Sequence, residues 1–105
     1  MMGFDLQGYS VIDIIRKNAG SPATYYEFSK FNNNGSMCHA LQINVIGSNN
    51  VFVSFSGTAL VNGGSTFMMI YPQGTRNLDY RTGSISIASS GGNYNTEIEV
   101  VGLGI

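Results

Sequence analysis

Residues 37–55 run Met37-Cys38-His39-Ala40-Leu41-Gln42-Ile43-Asn44-Val45-Ile46-Gly47-Ser48-Asn49-Asn50-Val51-Phe52-Val53-Ser54-Phe55, and this stretch decides the fold class. Leu41, Ile43 and Val45 alternate with Gln42 and Asn44. After four residues suited to a turn, Val51, Val53 and Phe55 alternate with Phe52, Ser54 and Ser56. Successive side chains of a strand point to opposite faces, so a period of two predicts strands with one face against a core.

Outward from this stretch the β pattern continues. Residues 23–31 are rich in aromatic side chains, and residues 58–61, 66–71, 84–88 and 96–101 complete a series of short strands. The connections Asn32-Asn33-Asn34-Gly35, Gly47-Ser48-Asn49-Asn50, Asn62-Gly63-Gly64 and Ser89-Ser90-Gly91-Gly92-Asn93 hold residues tolerant of positive φ and read as hairpin turns. Pro22 and Pro72 fall at loops or strand edges, where a missing N–H does no harm. Strands of this length at this spacing predict a mainly β fold: one antiparallel β-sandwich over residues 23–105, immunoglobulin-like or jelly-roll-like in topology.

Residues 1–22 read as an N-terminal arm. Ser10 is placed to cap a short helix through Lys17, with Val11, Ile14 and Ile15 on one face and Arg16 and Lys17 at its negative end. A strand through Val11 to Ile15 is the competing reading. The tail Val100-Val101-Gly102-Leu103-Gly104-Ile105 ends on an apolar residue and is expected to dock on the body or on a neighbour.

Composition narrows the function. Only 10% of the 105 residues are charged and the net charge is −1, whereas soluble domains carry about 25% charge. A near-neutral surface of amides and hydroxyls costs less to desolvate than an ionic one and favours lasting contacts. Five scattered basic residues (Arg16, Lys17, Lys30, Arg76, Arg81) do not make a track for a phosphate backbone, so no nucleic-acid partner is expected. No apolar run reaches the roughly 20 residues that span a bilayer, and no basic-then-apolar leader opens the chain. The one cysteine, Cys38, rules out an internal disulfide.

Four groups of residues invite a chemical reading. Cys38 beside His39 has the composition of a nucleophile and its base, but neighbours on a strand diverge, which favours a buried thiol and a half-exposed imidazole. Glu97 and Glu99 share one face of the last strand about 6–7 Å apart, a spacing suited to a cation or simply to a solvated face that blunts edge pairing. Tyr25, Tyr26, Tyr71, Tyr80 and Tyr94 offer either a stacking platform for sugar rings or interface residues. Residues 73–81 form a charged loop with Arg76, Asp79 and Arg81. No phosphate loop, triad spacing or metal motif stands out. The expectation is a chain without catalysis, cofactor or metal. Its contact residues are expected at Phe4, Leu6, Tyr9, Arg76, Asp79, Tyr80, Arg81, Leu103 and Ile105.

The segment Arg81-Thr82-Gly83-Ser84-Ile85-Ser86-Ile87-Ala88-Ser89-Ser90-Gly91-Gly92, followed by Ile98-Glu99-Val100, resembles the closing hairpin of bacterial immunoglobulin-like modules, the BACON type above all. That resemblance implies a glycan as a ligand. In whole-chain character the sequence is similar to small phage virion proteins: decoration or cement subunits, adaptors and tail components. That likeness implies a homo-oligomer located in the virion, made in the host cytoplasm and contacting the major capsid protein or other virion proteins.

Overall fold

Val11, Ile12, Ile14 and Ile15 put four β-branched residues into five positions, and β-branched side chains fit a pleated sheet better than a two-turn helix. In the computed structural model, which describes residues 11–20, 23–28, 30–31, 37–55, 67–90 and 96–104, this segment is strand β1, Val11–Ala19. The helix expected over Ser10 to Lys17 is therefore corrected to the competing strand. The i, i+3, i+4 spacing of Val11, Ile14 and Ile15 mimics a helix face, but nine register pairs with the last strand outweigh it. Residues 11–20 consequently belong to the sandwich and not to an arm; residues 1–10 and 21–22 lie outside the described residues.

Among the described residues seven further strands follow: β2 (Thr24–Glu27), β3 (Ala40–Val45), β4 (Val51–Ser54), β5 (Phe67–Ile70), β6 (Thr75–Leu78), β7 (Ser84–Ser89) and β8 (Thr96–Gly104). They form two antiparallel four-stranded sheets, β1-β8-β3-β6 and β2-β7-β4-β5. The pairing is nested: first with last, second with seventh, third with sixth, fourth with fifth. This is the order of a jelly roll, a double sheet made by folding one long hairpin over itself. An immunoglobulin sandwich orders its strands differently.

Nesting changes how the turns read. Among the described strands, only β4 and β5 are hydrogen-bonded neighbours that follow each other in the chain. The Gly47–Asn50 connection crosses between sheets rather than closing a hairpin. β7 and β8 likewise lie in different sheets, so the segment read as a closing hairpin is not one. The segment 73–81, read as a loop, holds β6, whose polar sequence suits its place at a sheet edge. Residues 58–61, expected as a strand, lie outside the described residues.

Between the sheets, Leu41, Ile43, Val45, Ile98 and Val100 meet Tyr26, Val51, Val53, Ile70, Ile85 and Ile87. Each fully buried aliphatic side chain contributes about 1.5–3 kcal/mol. Two glycines of β8 make room for two more rings. A Cβ on Gly102 would lie 2.8 Å from the Phe28 ring, and one on Gly104 would collide with Phe31. Phe28 and Phe31 pack edge to face over this lane, with centroids 6.0 Å apart.

The flanks of the sandwich are closed by short crossings. At the end of β1, the Ser89 N–H donates to the Gly20 carbonyl at 2.9 Å, carrying the chain from one sheet to the other. On the opposite flank, Tyr71-Pro72-Gln73-Gly74 turns from β5 into β6, with Gly74 N–H donating to Tyr71 C=O at 3.0 Å. Gln73 sits at φ 60°, the left-handed value a turn of this type requires at its third position.

Candidate contact surface

The two outer faces differ. On the second sheet, Phe52, Ser54, Ser86 and Ala88 alternate with core residues and so point away from the core, yet all are buried. The middle of that face is therefore enclosed, while Tyr25 and Glu27 stand exposed at its β2 edge. The outer face of the first sheet is the broad accessible one, and register fixes what stands on it in rows across the strands.

One row runs across all four strands: Arg16, Glu99, Asn44 and Thr75. Arg16 Nη2 and Glu99 Oε2 form an ion pair at 2.9 Å, Asn44 Nδ2 donates to Glu99 Oε1 at 3.1 Å, and Thr75 Oγ1 donates to Asn44 Oδ1 at 2.9 Å. A second row holds Ile14, Val101, Gln42 and Asn77, where Gln42 Nε2 donates to Asn77 Oδ1 at 2.8 Å. Asn44 Nδ2 also donates to Gln42 Oε1 at 2.9 Å and ties the two rows together. A third row holds Ile12, Leu103 and Ala40; Ile12 is exposed at the β1 edge, while Leu103 and Ala40 are fully buried, so the accessible part of the face ends there. Ile14 is 59% exposed, a large apolar side chain in open solvent beside a polar ladder that already satisfies itself.

Six polar side chains of this face, Arg16, Glu99, Asn44, Thr75, Gln42 and Asn77, are bonded to one another, while Asn18 and Glu97 stand exposed beyond them. The Arg16–Glu99 pair neutralises two of its charges, and its exposed large apolar residues, Ile12 and Ile14, sit together on β1.

The residues expected to make contacts are distributed as follows. Asp79, Tyr80 and Arg81 are exposed between β6 and β7; Tyr80 stacks on Phe55 with centroids 4.5 Å apart, and Arg81 Nη2 donates to His39 Nδ1 at 3.3 Å. Arg76 leaves the group: it reaches across the flank and donates to Met68 Sδ at 3.3 Å. Leu103 is fully buried within the chain. Phe4, Leu6, Tyr9 and Ile105 lie outside the described residues. Ile12, Ile14, Gln42 and Asn44 were missed, although the alternation of Ile12 and Ile14 with Asp13 and Ile15 was the available signal.

The chemically suggestive groups are kept apart. Cys38 lies in the core and its Sγ donates to the Tyr80 carbonyl at 3.6 Å, while His39 is half-exposed and faces Arg81. Burial pushes the Cys38 thiol up, away from the thiolate a nucleophile needs. Glu97 and Glu99 do share the outer face, but β8 is an interior strand, so they do not guard an edge. Among the described residues no three His, Cys, Asp or Glu side chains come together as metal ligands. Tyr26 is buried, its hydroxyl donating to the Lys17 carbonyl at 3.0 Å. Tyr25 is on β2 and Tyr71 follows β5, the two opposite edges of the second sheet, while Tyr80 lies past the far end of β6. These tyrosines share no platform; Tyr94 is outside the described residues.

No protein-family model, curated protein or solved structure matches this chain.

Proposed function

We propose that the chain is a non-catalytic structural subunit of a virus particle, a phage capsid decoration or cement protein that acts through contacts with copies of itself and with other virion proteins. The observation that carries this reading is the outer face of the first sheet: four strands wide, internally hydrogen-bonded, and presenting Ile12 and Ile14 to solvent. The jelly roll adds an argument by analogy, since it recurs in capsid proteins. The sparse charge of the chain fits the same role, because covering such a surface buries few ions. Mass spectrometry of purified particles from cells expressing the chain tests the proposal. The chain is expected at a fixed ratio to the major capsid subunit; its absence from washed particles overturns the reading.

A second reading, a carbohydrate-binding module, draws on the amides of Gln42, Asn44 and Asn77 arrayed on one face, because jelly rolls also serve as lectins. Retention on a glycan array that is lost on Asn44→Ala supports it. No retention on any glycan removes it.

A further inference from the structure

Strand β1 is the edge of the first sheet, and hydrogen bonds elsewhere in that sheet reveal which of its backbone groups face outward. Alternate residues of an antiparallel strand turn their N–H and C=O groups to opposite sides. On β8, the Leu103 carbonyl accepts from His39 at 2.7 Å, and the Glu97 carbonyl accepts from Ile46 at 2.9 Å and Gly47 at 3.1 Å. The odd-numbered residues of β8 therefore bond toward β3. Its even-numbered residues, Ile98, Val100, Gly102 and Gly104, bond toward β1, where register sets Lys17, Ile15, Asp13 and Val11 opposite them. What remains on β1 for the open edge is Ile12, Ile14, Arg16 and Asn18. Two side chains agree with this assignment: Lys30 Nζ donates to the Ile12 carbonyl at 3.1 Å and Thr24 Oγ1 to the Asn18 carbonyl at 2.9 Å.

Those two caps are placed symmetrically, three residues either side of Ile15. Between them, the N–H and C=O of Ile14 and of Arg16 face outward with no partner among the described residues. We infer that a second copy of the chain covers this window, pairing its β1 antiparallel to the first about a two-fold axis at Ile15, so that the two four-stranded sheets become one of eight. About that axis Ile14 stands opposite Arg16 of the other copy, and the four open groups of each window meet their complements in four backbone hydrogen bonds. The register also sets Ile15 against its own symmetry mate, while Asp13, buried with its carboxylate accepting from the Lys30 N–H at 3.1 Å, stays engaged within its own copy. Shifting the axis to Ile14 draws the capped Ile12 carbonyl into the window and loses the match of open groups. A foreign peptide strand would meet the edge too, but two caps placed symmetrically about Ile15 leave a window that is complementary to itself, which favours a copy of β1.

This contact rests on the reading of the chain as a self-associating subunit and gives that association a geometry. The test is amide hydrogen exchange by NMR on the wild-type chain, read beside its sedimentation. In dilute solution the Ile14 and Arg16 amides are expected to exchange freely while Asp13 and Ile15 are protected by β8. At concentrations where the dimer forms, the Ile14 and Arg16 amides are expected to slow at least about tenfold. Ile14→Pro deletes one outward N–H and no ladder bond, so it is expected to leave a folded monomer. A chain that stays monomeric throughout, or a dimer whose Ile14 and Arg16 amides exchange equally fast when dilute and concentrated, overturns the inference. Should Ile14→Pro fail to fold, the wild-type exchange rates decide alone. Particles that contain the chain with those amides unprotected would sink this contact and leave the assembly reading standing.

Discussion

Gly102 and Gly104 are where one missing atom shapes the core. Phe28 lies against Gly102 and Phe31 against Gly104, and both rings are enclosed, so neither has room to retreat from an added methyl. Gly102→Ala is expected to cost about 1–3 kcal/mol, read as a lower midpoint in urea unfolding. Gly83 is the internal comparison, because a Cβ there would meet nothing within 4 Å and Gly83→Ala should be far milder. In the sequence these glycines read as an apolar tail. Nothing local shows that rings from residues 28 and 31 will cross them. Tyr26 carries a second consequence at this scale. Burial raises its phenol well above the ordinary value near 10, so the folded state holds a proton that the unfolded chain releases. Its contribution is fully present below about pH 10 and is lost as the pH climbs beyond that. Alkaline titration followed by tyrosinate absorbance should show one phenol that ionises only as the protein unfolds; complete, reversible ionisation in the folded state would contradict this.

At the scale of the element, β1 was the segment most open to misreading and β3 the least. The alternation of Leu41, Ile43 and Val45 with Gln42 and Asn44 reports one buried and one accessible face, and the burial of β3 follows it residue by residue. β1 has apolar residues on both faces, Ile12 and Ile14 outside with Ile15 inside, and that doubling produced the helical spacing. β6 was illegible for the opposite reason: a short polar edge strand has no periodicity to display. Glu97 and Glu99 were legible as a face but not as belonging to an interior strand, since strand order is a long-range property. The parity of β1 yields a sharp contrast at this scale. Proline at 15 removes an N–H that bonds β8 and should destabilise the fold by roughly 2–3 kcal/mol or more, whereas proline at 14 removes one that faces outward and should cost much less. Thermal melts of Ile15→Pro and Ile14→Pro check this, and equal losses would contradict the assignment of the edge.

For the molecule as a whole, the fold class followed from local alternation, but the nested strand order did not. Nothing in residues 84–101 tells that the chain leaves one sheet and enters the other between β7 and β8. The proposed contact face was not legible residue by residue. Sparse charge and abundant amides predicted a surface suited to contact, while the residues singled out fell largely at loops and termini. The face we propose instead lies on the first sheet, where Arg16, Glu99, Asn44, Thr75, Gln42 and Asn77 hold one another and Ile12 and Ile14 stand beside them. Sedimentation equilibrium of the full wild-type chain over a wide concentration range tests most directly whether that surface exists to be covered. The weight-average mass is expected to rise reversibly from one chain to a small symmetric assembly, and a single-chain mass at every concentration would contradict the account.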